Sequence, residues 1–229
     1  MISEKMQKLA GNNSAIRAMF EEGKKMAAQY GAENVYDFSL GNPSVPAPAS
    51  VAQAMKDILD DEDSLVVHGY MSNAGYEDVR EAVAQNLNRR FGTAFTQRNI
   101  LMTVGAAGGL NIILKTLLNP GDEVICFAPF FAEYGNYIGN YDGVLVTIPA
   151  DTETFQLNLE AFRQAIGPRT KAVIINNPNN PTGVVYSAET VTKLADILEQ
   201  KQAELGTSIY LISDEPYREL AYDGVEVPF

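Results

Sequence analysis

The sequence predicts a three-layer α/β/α fold with a mainly parallel sheet, preceded by an N-terminal arm. Apolar, β-branched runs at residues 100–104, 123–127, 144–148, 171–176 and 208–213 alternate with helical patterns at 108–118, 157–166 and 187–205. The runs are short and nearly continuous, as strands buried on both faces are. Between them, Asn119-Pro120-Gly121-Asp122 reads as a helix stop followed by a turn.

The opening, residues 1–31, is mixed and charged, with Ile16, Met19, Phe20, Gly23 and Met26 spaced like one helical face. Val35-Tyr36-Asp37-Phe38-Ser39-Leu40 alternates weakly and runs into Gly41-Asn42-Pro43-Ser44-Val45-Pro46-Ala47-Pro48, where prolines exclude regular structure. That stretch is the boundary we expect between an arm or small-domain segment, residues 1–45, and a large domain, residues 46–229. A helix over about 50–59, an acidic turn at 60–63 and a loop carrying His68, Tyr70 and Gly75 follow. Tyr76, Val79, Val83, Leu87 and Phe91 then fall at helical spacing, opposite Arg80, Glu81, Arg89 and Arg90. This helix is expected to pack on the sheet.

Composition narrows the function classes. The 229 residues are 46% hydrophobic, enough for a substantial core. Lys+Arg number 17 against Asp+Glu 29, so duplex nucleic acid or an anionic membrane is repelled over most of the surface. Cys126 is the only cysteine and His68 the only histidine, which excludes an internal disulfide and a zinc site built from such ligands. The charged opening leaves no apolar stretch suited to a signal peptide or membrane span, and a cytoplasmic location is expected.

The motifs fall after the strand patterns, where open parallel sheets bind ligands. Val104-Gly105-Ala106-Ala107-Gly108-Gly109 joins the first run to a helix, and its small residues let backbone N–H groups approach an anion such as a phosphate. It is neither a P-loop, lacking the Lys-Ser/Thr pair, nor a dinucleotide fingerprint, since Cys126-Phe127-Ala128 stands where an acidic ribose ligand belongs. Ala128-Pro129-Phe130-Phe131-Ala132-Glu133-Tyr134 sets aromatics beyond the second run, as core or as a platform for a flat heterocycle. Asn176-Asn177-Pro178-Asn179-Asn180-Pro181-Thr182-Gly183 ends the fourth run in a proline-stiffened turn, with Asn180 offering a side-chain amide. Asp214 ends the fifth run, which is too apolar to finish in an unpaired carboxylate without cost. A cationic partner answers that cost, and a helix cap over 215–220 is the structural alternative.

Taken together, these strings resemble the fold-type I aminotransferases that use pyridoxal 5′-phosphate (PLP). The resemblance implies that Asp214 faces the pyridine nitrogen and that Asn180 and Tyr217 hold the ring oxygen. It further implies that Phe131, with Phe130 as alternate, lies against the ring, and that Gly105, Ala106 and Ala107 meet the phosphate. Tyr70, in Tyr70-Met71-Ser72-Asn73-Ala74-Gly75, is similar to the family's tyrosine that reaches the neighbouring subunit's cofactor, which implies a homodimer. Gly41 matches the glycine segment that meets the substrate carboxylate. His68 receives no catalytic role, having no Ser or Cys partner motif.

The Schiff-base lysine of that family lies downstream of the Asp-x-x-Tyr element, and no lysine follows Lys201 here. Lys171, Lys193 and Lys201 are not substitutes. The chain is therefore expected to be the front part of an enzyme and inactive alone. For the complete protein the resemblance implies an amino-acid:2-oxo-acid aminotransferase. The alternatives are a PLP-dependent C–S β-lyase and a non-catalytic binding or regulatory protein on the same fold. An NAD(P) oxidoreductase is disfavoured by the missing fingerprint.

Overall fold

A computed structural model describes residues 2–11, 15–39, 41 and 45–229. The chain divides into two compact units, residues 1–70 and 71–229. In the first, helices α1 (Glu4–Gly11), α2 (Ala15–Tyr30), α3 (Ala49–Asp61) and α4 (Ser64–Val67) are joined by extended or turn segments. Met19 and Met26 on α2 are exposed, whereas Gly23 lies against Asp37: a Cβ there would sit 2.8 Å from the carboxylate. Residues 35–38 do not form a strand. Helix α3 runs two residues into the expected acidic turn at 60–63, and α4 precedes the loop carrying His68, its first turn closed by the Asp63 carboxylate accepting from Leu65 N at 2.8 Å.

The second unit holds the sheet. Strands β1 (Glu123–Phe127), β2 (Val144–Ile148), β3 (Thr170–Asn176) and β4 (Tyr210–Asp214) are all parallel, in the order β2-β1-β3-β4. Around them run α5 (Glu77–Phe91), α6 (Gly105–Leu117), α7 (Glu133–Asn140), α8 (Leu159–Ala165) and α9 (Ala188–Leu205). Period-2 alternation sorts the central strands into two faces. Ile125, Phe127, Val173 and Ile175 pack with Phe162 of α8 and with Leu194, Ile197 and Leu198 of α9. Val124, Cys126, Ala172 and Ile174 pack with Leu110 and Leu114 of α6 and with Tyr134 and Ile138 of α7. The three-layer α/β/α expectation is met.

Helix ends follow local chemistry. Ser187 caps α9 by accepting from Thr190 N at 3.1 Å, and Gly206 ends it at φ +65, a left-handed position that favours glycine. Asn158 caps α8 by accepting from Ala161 N at 3.0 Å.

Four expectations need correction. Residues 100–104 are no strand: Met102 N donates to Ala74 O at 2.9 Å, and no ladder partner exists among the described residues. Apolar character alone does not make a strand without a neighbour to pair with. The Gly105–Gly109 stretch is accordingly the first turns of α6 rather than a strand-to-helix loop. Only the central strands are buried on both faces, while β2 and β4 stand at the sheet's edges with partly exposed side chains. Helix α5 buries only Ala84, leaving Val79 and Val83 exposed. Its far end instead carries a ring stack of Phe91 on Phe229, centroids 4.2 Å apart, flanked by the Arg218 guanidinium. Arg218 also donates to the Val227 and Pro228 carbonyls at 2.9 and 2.8 Å, which ties down the end of the chain.

Candidate active site

The carboxyl ends of β1, β3 and β4 and the start of α6 converge on one cavity of about 100 Å³. It is lined by Ala106, Ala107 and Leu110 from α6, by Phe131 and Tyr137, by Asn176 and Asn180, and by Asp214, Pro216 and Tyr217. The register of the sheet explains the meeting. Asn176 and Asp214 are partners on adjacent parallel strands, so the last residue of each strand stands beside the other.

The asparagine-rich turn is internally satisfied, which is what allows it to be buried. Asn177 Oδ1 accepts from Tyr186 N at 2.9 Å, and Asn179 Oδ1 accepts from the Thr182 hydroxyl at 2.8 Å and its backbone N–H at 3.2 Å. Gly183, at φ +74, lets the turn close with its N–H on Asn179 O at 2.7 Å. Asn176 is 3% exposed, and both ends of its amide are used. Its Nδ2 donates to Asp214 O at 2.7 Å and its Oδ1 accepts from Asn180 N at 2.5 Å. Asn180 is thereby projected toward the cavity, where its Nδ2 donates to the Tyr217 phenol at 3.1 Å.

Asp214 is half-buried, and burial raises its carboxyl above the ordinary 3.8, with the neighbouring Glu215 charge adding to the rise. The Tyr134 phenol opposes this by donating to Oδ2 at 2.6 Å. Among the described residues no cation contributes to lowering it. Tyr134 is 1% exposed, and burial together with Asp214 holds its phenol far above the ordinary value, so it stays protonated and donates the hydrogen bond. Phe131 meets Tyr134 edge-on, centroids 5.7 Å apart, and also lines the cavity. Tyr137 has its phenol pushed up, first by burial and then by the Glu133 and Asp214 charges.

Of the residues expected from sequence, Ala106, Ala107, Phe131, Asn180, Asp214 and Tyr217 line this single cavity, while Gly105 starts α6 one residue before it. Phe130 packs on Tyr134 and does not line the cavity. Residues 215–217 are not helical; a short 3-10 turn covers Arg218–Leu220. Gly41 and Tyr70 belong to the first unit, both exposed there, and Leu40, Asn42 and Pro43 around Gly41 lie outside the described residues. Sequence reasoning overlooked Tyr134, Tyr137 and Asn176. Tyr134, Tyr137 and Ile138 at i, i+3 and i+4 carried a helical signal for α7, and Asn176 stood inside the asparagine string.

The donor set suits a flat, anionic, nitrogen-containing ring. An uncompensated half-buried carboxylate answers a ring cation, and an amide–phenol pair answers a ring oxygen. A helix N-terminus of small residues answers a phosphate. Residues 33–228 match the family described as Aminotransferase class I and II. The chain belongs to the class I and II aminotransferases. A probable aspartate/prephenate aminotransferase of Thermus aquaticus is 37% identical over 187 residues, covering 81% of this chain and 46% of that protein. An aspartate aminotransferase of Pyrococcus horikoshii is 33% identical, covering 92% of this chain and 50% of its own length. Among solved structures, an amino transferase from Eubacterium rectale superposes with TM-score 0.96 at 49% identity, over 100% of this chain and 58% of that one. The aspartate aminotransferase of Thermus thermophilus with maleate gives 0.83 at 31%, over 99% and 56%. This aminotransferase chain thus spans about half the length of the curated relatives it matches. Among its described residues no helix is long and apolar enough to cross a membrane.

Proposed function

We propose that the complete protein binds PLP in this cavity and moves an amino group from an amino acid to a 2-oxo acid. The observation that carries the reading is the convergence of Asp214, Asn180 and Tyr217 on one cavity at the strand ends. When bound, PLP supplies an electron-withdrawing ring that takes up the electron pair of a substrate C–H bond. Asp214 keeps a proton on the ring nitrogen by facing it as an anion. Asn180 and Tyr217 hold the ring oxygen, Phe131 lies against one ring face, and the N–H groups at Gly105, Ala106 and Ala107 hold the phosphate. The reading also needs a lysine amine. Lys171 stands at the amino end of β3, away from the cavity, and Lys193 and Lys201 pair with Glu189 and Glu204 at 2.6 and 2.7 Å. The coding frame past Phe229 is where we look for it.

The remaining roles belong to the same proposal. Tyr70 reaches the cofactor of a neighbouring subunit in a homodimer, a reading supported by its full exposure, and Gly41 meets the substrate carboxylate. Residues 1–45 form an arm or small-domain segment and 46–229 the cofactor domain, and a single-cysteine, acidic chain suits the cytoplasm. The names of the relatives make aspartate the first donor to test. Amino donors are supplied one at a time to the complete product of the coding frame with PLP. Release of the matching oxo acid supports transamination, and pyruvate plus thiol from a sulfur amino acid transfers the reading to a β-lyase. Failure to bind PLP at all sinks it.

A further inference from the structure

Asp214 lines the cavity, and one of its two carboxylate oxygens is held by a residue that does not. Oδ2 takes the Tyr134 hydroxyl at 2.6 Å, and that phenol has almost no rotational freedom. Tyr134 is 1% exposed, is wedged beside Phe130 and edge-on to Phe131, and sits in the first turn of α7 with its N–H on Phe131 O at 3.1 Å. The hydrogen bond therefore fixes which way the carboxylate plane faces and leaves the second oxygen for the cavity. It also favours the anionic form, against the burial that favours the neutral one.

We propose that Tyr134 is a positioning residue that aims the Asp214 carboxylate at the ring nitrogen of the cofactor and keeps it anionic. The inference rests on the PLP reading above and goes beyond it, since Tyr134 acts through Asp214 without lining the cavity. It makes a distinctive demand: the effect of Tyr134 must depend on the ring nitrogen. A residue that merely supports the fold affects every ligand of the cavity alike.

The test is equilibrium binding, by absorbance and fluorescence titration, of PLP and of its 1-deaza analogue, in which a C–H replaces the ring nitrogen. The protein is the complete product of the coding frame, with and without Tyr134→Phe. That change removes one oxygen and keeps the ring that packs. Loss of a hydrogen bond to a charged group predicts PLP affinity lowered about tenfold or more, with the deaza analogue unchanged to within about twofold. Equal losses for both ligands, or none for either, overturn the proposal while leaving the PLP reading intact. Absence of PLP binding by the unsubstituted protein overturns the reading and the proposal together. Should the phenylalanine protein fail to fold, 3-fluorotyrosine at position 134 keeps the shape and alters donor strength. A change in the ratio of PLP to deaza affinity then supports the assignment, and an unchanged ratio refutes it.

Discussion

Asn176 and Asp214 end neighbouring strands in register, and the Asn176 amide bonds the Asp214 carbonyl at 2.7 Å while accepting from Asn180 N at 2.5 Å. One buried side chain thus sets the spacing between the residue proposed to meet the ring nitrogen and the one proposed to meet the ring oxygen. Replacing Asn176 with Ala leaves the Asn180 N–H without its acceptor, at about 1–3 kcal/mol for the unpaired group, while the Asp214 carbonyl keeps only the Asn177 N–H at 3.3 Å. The expected outcome is a urea midpoint lowered by an amount in that range together with weaker PLP binding. A stability loss with PLP affinity untouched separates the strand-end bond from the site.

Asn180 and Tyr217 touch at 3.1 Å although they are 37 positions apart in the chain. Each is proposed to donate to the same ring oxygen, so each is expected to lower PLP affinity by about tenfold when changed, as Asn180→Ala or Tyr217→Phe. Because they are in contact, the double variant is expected to lose less than the sum of the singles. Strict additivity in a titration of all four proteins argues that the two do not share a ligand atom.

Cys126 is the penultimate residue of β1, fully buried, with its thiol pushed up to about 12 by burial alone. At pH 8 only about one thiol in ten thousand is then ionised, and the side chain has no exposed surface in the folded state. Labelling with a thiol reagent at pH 8 is therefore expected to proceed at the rate of unfolding and to become fast in denaturant. Rapid labelling of the native protein contradicts the packing of this β1 face.

Much of this was legible from residue order because the decisive signals are local. The runs that became β1, β2, β3 and β4 were readable as strands, and the asparagine turn and Asp214 were readable as strand-end features. What failed depended on partners distant in sequence. Residues 100–104 are as apolar as a strand, yet pairing is a property of two segments, and sequence near Val104 says nothing of a neighbour. Helix α5 has an apolar stripe that periodicity assigned to the sheet, whereas the structure spends Phe91 on Phe229, 138 positions on. Tyr134 was visible only as one aromatic among several. Its meaning appears when the fold brings it to a carboxylate 80 positions away.

The Asp214 carboxyl also makes stability depend on pH with a defined sign. Burial raises its folded value above the ordinary 3.8, so the native state holds this proton more tightly than the unfolded chain does. The group's contribution to stability is then full below 3.8 and is lost as pH rises through the raised folded value. Above that point an ionised, half-buried carboxylate opposes folding. Asp214→Asn removes the titration, so without cofactor the variant is expected to gain on the parent as pH climbs from about 3.8 and to keep a constant lead once the group is ionised. Saturating PLP should reverse the ranking, because a ring cation favours the anion that burial penalises. Urea unfolding of both proteins across this range, with and without PLP, checks both halves of the expectation. A lead that ignores pH removes the buried carboxylate from the energetics, and a lead that PLP leaves standing removes the ring cation from its partner.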